Sequence, residues 1–210
     1  MKYGPTKFKH CEVSMKGNDT NRVNEIIAGN QEAIRRPQGF WKDEIYKSEK
    51  PGGLGKIELI DVREWRKNLI TEPITQLLAG LMKNEGSFSG GVLFHAVGEG
   101  LVAWDTSLPD PTFTQTTLVN EHFRKAPDSI TYKDSGGVPT GSITNRISVK
   151  TTFAFADGPG LNGKYMRNQG LFGGDATSTL DSGYLIDAIN HIKIFKDATI
   201  QIVRTIDLIF

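Results

Sequence analysis

Ile143-Thr144-Asn145-Arg146-Ile147-Ser148-Val149-Lys150-Thr151-Thr152-Phe153-Ala154-Phe155 is the stretch on which the fold reading turns. Ile143, Ile147, Val149, Thr151, Phe153 and Phe155 take odd positions, while Thr144, Arg146, Ser148, Lys150 and Thr152 take even ones. Successive side chains on a strand point to opposite faces, so this alternation predicts a strand with one buried face. Asp157-Gly158-Pro159-Gly160 supplies the turn that ends it.

Working outward, the same period-two texture predicts strands over residues 92–97, 164–171, 184–195 and 200–210. Lys196-Asp197 separates the last two by a short connection, which predicts that they pair as an antiparallel hairpin. Phe210 completes the apolar set of Ile200, Ile202, Ile206 and Leu208, and is expected to be buried. Short strands at turn-punctuated spacing predict a mainly β (α+β) class, as an antiparallel β-sandwich or compact barrel.

One helix is legible before those strands. Ile70, Ile74, Leu77, Leu78, Leu81 and Met82 recur at three- and four-residue spacing, which predicts a packed amphipathic helix near residues 72–83. Thr71 is positioned to cap it, Pro73 suits a first turn, and Gly80 suggests a close packing partner. Residues 56–62 read as a short strand.

Residues 1–55 differ in texture. They are polar, hold a candidate helix over residues 22–34, and end in Lys50-Pro51-Gly52-Gly53-Leu54-Gly55, which reads as a linker. Two parts are therefore expected, a polar N-terminal arm with its linker over residues 1–55 and a β-rich structural domain over residues 56–210.

Composition narrows the chemistry. Lys plus Arg number 25 and Asp plus Glu 24 in 210 residues, so no net field draws in a nucleic acid or an anionic membrane. Apolar runs fall far short of the ~20 residues a spanning helix requires, and no signal peptide is visible, so a soluble protein is expected. Cys11 is alone, and His10, His95, His122 and His191 are scattered without metal-ligand spacing. Gly98-Glu99-Gly100-Leu101-Val102-Ala103 fits a dinucleotide-binding spacing, but Pro109 and Pro111 forbid the long helix whose N-terminus would face a pyrophosphate. It reads as a glycine turn leaving a strand. Asp105, Asp110, Asp134, Asp157, Asp181 and Asp187 mostly sit beside Gly, Pro or Ser, where turn chemistry accounts for them. No enzyme, cofactor or metal is expected.

Large aromatics are the candidate contact residues: Trp41, Trp65 and Trp104, each able to anchor a partner through a broad apolar face, with the core as the competing fate of at least one of them.

Residues 68–210 also carry an ordered series. Asn68-Leu69-Ile70 precedes the helix, followed by Ala96-Val97-Gly98-Glu99-Gly100, then Thr117-Leu118-Val119-Asn120-Glu121 with Arg124. The strand through Phe153 and Phe155, the Asn162-Gly163 turn, Gln169-Gly170-Leu171-Phe172-Gly173 and the late Lys196-Asp197 complete it. This order resembles a family of small virion proteins of tailed phages, although the family carries an acidic residue where Gln169 stands. The resemblance implies a non-enzymatic structural role in the tail, baseplate or fibre-attachment region, with residence in the virion after assembly in the host cytoplasm. It implies other tail or baseplate proteins and further copies of the chain as partners, and no membrane or specific nucleic acid. The alternative reading is a receptor- or carbohydrate-binding β-module of a tail fibre, with Trp104, Tyr132 and Tyr165 as stacking platforms.

Overall fold

The structure is a computed structural model and describes residues 37–83 and 85–210. The candidate helix over residues 22–34, His10 and Cys11 lie outside the described residues. Ten strands form one antiparallel ladder: β1 Gln38–Lys50, β2 Leu54–Ile70, β3 Gly90–Gly98, β4 Glu121–Lys125, β5 Ser129–Lys133, β6 Pro139–Thr140, β7 Arg146–Phe153, β8 Lys164–Gly174, β9 Tyr184–Lys196 and β10 Ile200–Ile209. Among the described residues one α-helix, α1 Pro73–Lys83, follows β2. Strands run across the ladder in the order β4-β3-β8-β9-β2-β1-β10-β7-β5-β6. The mainly β class with one packed helix is what alternation predicts.

The decisive stretch behaves as read over most of its length. Val149, Thr151, Phe153 and Phe155 are buried on one face of β7 and just beyond it. Ile143 is 85 % exposed because it precedes the strand and has no sheet behind it. Strands distant in the ladder share one core. Trp41, Val149, Ile206 and Leu208 pack with Leu171, Ile186, Ile189 and the helix residues Ile74 and Leu77. A second cluster joins Ile45, Phe153 and Ile202 to Val97, Met166 and Ile194. Between these groups His95 on β3 meets Thr151 on β7 at 2.9 Å, so β3 and β7 touch although five strands separate them in the ladder.

Five expectations are corrected. First, β9 and β10 do not pair as a hairpin: β9 lies between β8 and β2, and β10 between β1 and β7. Ile194 and Ile202 instead enter the same core cluster, so the short connection carries the chain between two groups of strands rather than back along one. Ser48 and Gly52 donate backbone hydrogen bonds to Thr199 and Ala198 and hold that connection.

Second, part of the supposed arm belongs to the sheet. Residues 38–50 form β1, paired with both β2 and β10. The Pro/Gly run is the turn between β1 and β2, where Gly52 and Gly53 adopt φ of 76° and 78°, a region that side chains with a Cβ resist.

Third, the Thr71 hydroxyl does not cap the helix; it donates to the Leu185 carbonyl and ties the helix start to β9. Fourth, the buried stripe of α1 is Ile74 and Leu77 with Leu81 partly covered, while Leu78 and Met82 face outward. Gly80 does mark close packing, since a Cβ there would lie 2.1 Å from the Phe88 ring. Fifth, Phe210 is 41 % exposed: β10 ends at Ile209, and no sheet extends past that point to cover the last ring, although its backbone N–H donates to Asn145 at 2.9 Å.

Candidate assembly edge

β2 is seventeen residues long, and its two sides are treated very differently. Along one side it pairs with β1 from Leu54 to Asn68. Along the other, the described residues supply a partner only at Leu69 and Ile70, which face Ala188 and Asp187 of β9. Among the described residues, the backbone donors and acceptors of residues 54–68 on that side therefore form an open edge, a template for another strand.

Its side chains are not those of a protected surface. Leu54, Ile57, Leu59, Ile60, Val62 and Trp65 are each between 41 and 64 % exposed. The local cause is irregular pairing with β1, with register shifts opposite Trp41/Asp43, Ile45/Tyr46 and Ser48/Lys50. Each extra residue breaks the inside-outside alternation, so apolar side chains emerge on both faces. Charges are interspersed: Lys56, Glu58, Asp61, Arg63, Glu64, Arg66 and Lys67.

The three tryptophans meet different fates. Trp41 is buried, with the Arg204 guanidinium 5.3 Å from its ring centre, and serves the core rather than a partner. Trp104 is partly covered in the short 3₁₀ turn Val102–Asp105, packed against the glycine turn at Gly100. That turn replaces the long helix a dinucleotide would need. Only Trp65 stands on the open edge, 43 % exposed, with the Lys42 and Lys133 ammonium groups 5.8 and 5.5 Å from its ring. Cations over the ring face hold it in place without covering it.

Where β2 and β9 part, a cleft of about 390 Å³ opens, lined by Trp41, Arg66, Asn68, Leu108, Asp110 and His191 among others. The Arg63 guanidinium reaches across the gap and donates to the Ile192 carbonyl at 3.1 Å. Burial, reinforced by the Arg204 charge, keeps the His191 imidazole neutral, well below its ordinary range. Its Nδ1–H donates to the Ile192 carbonyl at 2.8 Å, leaving Nε2 an acceptor. Nε2, Asn68 Oδ1 and Asn190 Oδ1 have no hydrogen-bond partner among the described residues. Beneath them burial pushes the Asp187 carboxyl up to about 7, against hydrogen bonds from Leu171 N–H and Asn68 Nδ2 and the attraction of Arg204 that pull it down.

Of the aromatic platforms of the carbohydrate reading, Tyr132 is on β5 and Tyr165 on β8. The Tyr165 ring has the Arg167 and Lys193 cations 4.9 and 5.7 Å from its centre, and both cations bond Asp105. Among the described residues, no three His, Cys, Asp or Glu side chains come together as a metal site, and no helix is long and apolar enough to cross a membrane.

Sequence reasoning missed the edge because residues 56–62 read as a short strand. The signal was present in Leu59-Ile60, two adjacent apolar residues where strict alternation would place one. That doubling marks a bulge. No protein-family model matches the chain, and no curated protein matches it either.

Proposed function

We propose that the chain is a structural, non-enzymatic component of a tailed-phage virion, in the tail, baseplate or fibre-attachment region, and that it acts through protein–protein interfaces. The observation that carries the interface role is the open, apolar edge of β2. Exposed strand edges of this length pair with other chains unless they are blunted. What supports the virion setting is the ordered series of residues from Asn68 to the terminal strand. Mass spectrometry of purified particles from an infected host tests it: the chain should be present in fixed stoichiometry with tail proteins. Its absence from particles would remove the virion reading.

A second reading is a carbohydrate-binding module, favoured by the cleft between β2 and β9. Its lining sets the donors of Arg66 and Lys67 and the carboxylate of Asp110 beside Leu108, a mixture that suits a ligand rich in hydroxyls. Binding on a glycan array that His191→Ala abolishes would support it.

A further inference from the structure

We infer that two copies of this chain join through β2, antiparallel, about a two-fold axis that passes through Val62. The inference rests on the assembly reading above and names its partner and register.

An antiparallel pair places each residue opposite one fixed partner, with both side chains on the same face. With the axis at Val62, Asp61 faces Arg63 and Glu58 faces Arg66, and the two-fold repeats each pair. Leu59 faces Trp65 and Val62 faces its own copy, so three of the exposed apolar residues meet one another at the centre, while Ile60 faces Glu64 and Ile57 faces Lys67.

Neighbouring registers lose this match. An axis at Asp61 sets Glu58 against Glu64 and Lys56 against Arg66, and an axis at Arg63 sets that residue against its own copy. An axis lying between two residues is excluded, because the two-fold keeps each side chain on its own face and would set residues of opposite faces against each other. An axis at Ile60 avoids like charges but keeps only Lys56 with Glu64, and leaves Asp61 facing Leu59. Charges on an edge strand ordinarily repel pairing; here they select one register by penalising the others.

The backbone agrees. Residues 61–63 pair regularly with Ile45, Glu44 and Asp43, and the irregular pairings fall on both sides, between Leu59 and Asp61 and between Arg63 and Arg66. Val62 is thus the centre of a regular stretch with bulges on either flank. Arg63 Nε lies 3.7 Å from the carboxylate of its own Asp61, which is half exposed, and its Nη1 holds the Ile192 carbonyl, so a contact with the second copy's Asp61 adds to bonds that Arg63 makes within its own chain.

The test uses the full chain with Cys11→Ser as background. Val62→Cys should form an intermolecular disulfide under mild oxidation. Ile57→Cys should not, because its copy would lie opposite Lys67, ~33 Å away at the usual strand rise. With the axis at Ile60, Val62 faces Glu58, so a self-disulfide at 62 also excludes that register. By sedimentation equilibrium, Arg66→Glu should weaken the dimer by roughly tenfold or more, since symmetry makes one substitution reverse two contacts, and adding Glu58→Arg should restore it. Both positions are exposed, so folding should be unaffected. No disulfide at 62, or a dimer indifferent to Arg66→Glu, overturns the inference. An oligomer that survives the β2 substitutions overturns it while leaving the assembly reading in place; a chain monomeric at every concentration and missing from particles overturns both.

Discussion

Asp43 on β1 and Arg204 on β10 stand opposite each other in the ladder and form a bidentate ion pair, both side chains fully buried. The guanidinium also lies 5.3 Å from the centre of the Trp41 ring. A pair so placed is balanced by its own partners rather than by water, and is costly to break from one side.

Asp43→Ala should therefore destabilise the protein by about 3–5 kcal/mol in urea denaturation, because Arg204 would be left charged and buried. Replacing both partners with apolar residues, Asp43→Leu with Arg204→Met, should recover most of that loss. A double variant as unstable as Asp43→Ala would show that the pair contributes more than mutual neutralisation.

Asp187 should lower stability as pH rises from about 4 to about 7, against the buried neutral imidazoles of His95 and His191, which raise it as pH climbs to about 6.5. The Asp187 carboxyl is raised by burial from its ordinary 3.8 to about 7, so over that window the folded protein binds a proton that the unfolded chain has released. The contribution of Asp187 to the slope of stability against pH is negative and ends above about 7. Asp187→Asn should make the slope between about 4 and 7 more positive without unfolding the protein, because Asn68 can turn its amide and present Oδ1, now without a partner, to the new NH₂. An unchanged slope in the variant would assign the titration elsewhere.

Phe153 is fully buried, with the His95 ring 5.1 Å away. Phe153→Asp should abolish the cooperative unfolding transition, since it puts a carboxylate where a fully buried ring packs among Ile45, Val97 and Ile202. Phe153→Ala should fold and cost about 3–5 kcal/mol. A fully folded Asp variant would contradict the assignment of that face to the core.

Arg124 on β4 grips Glu121 through Nε and Nη2 at 2.5 and 2.8 Å, and its Nη1 donates to the carbonyls of Thr177 and Ser182 at 3.0 Å each. The planar fork serves two segments at once, and a lysine cannot reproduce it. Arg124→Lys should expose residues 175–183 to limited proteolysis while β7 to β10 stay protected. Equal protection in both proteins would mean that the loop is held by other contacts.

Regular alternation made most of the fold legible: β3, β7, β8, β9 and β10 fall where residues 92–97, 143–155, 164–171, 184–195 and 200–210 were read, and α1 matches the helix near 72–83. What failed has identifiable causes. β1 was hidden because its inward face alternates Trp41 and Ile45 with Asp43, an acid buried against a partner 161 residues away that local pattern cannot see. The pairing of β9 and β10 is not legible because proximity in sequence does not fix proximity in the ladder. β2 was read short because bulges break its period. The candidate site inherits that last failure: Trp65 was singled out for its size, but the open edge around it emerges only once β9 is seen to turn away.

Hydrogen–deuterium exchange along β2, followed as a function of protein concentration, tests the central claim most directly. Amides of residues 57–67 that point away from β1 should exchange slowly when the protein is concentrated and speed up on dilution, as the second strand leaves. Fast exchange at those amides in a sample that is demonstrably oligomeric would contradict the account.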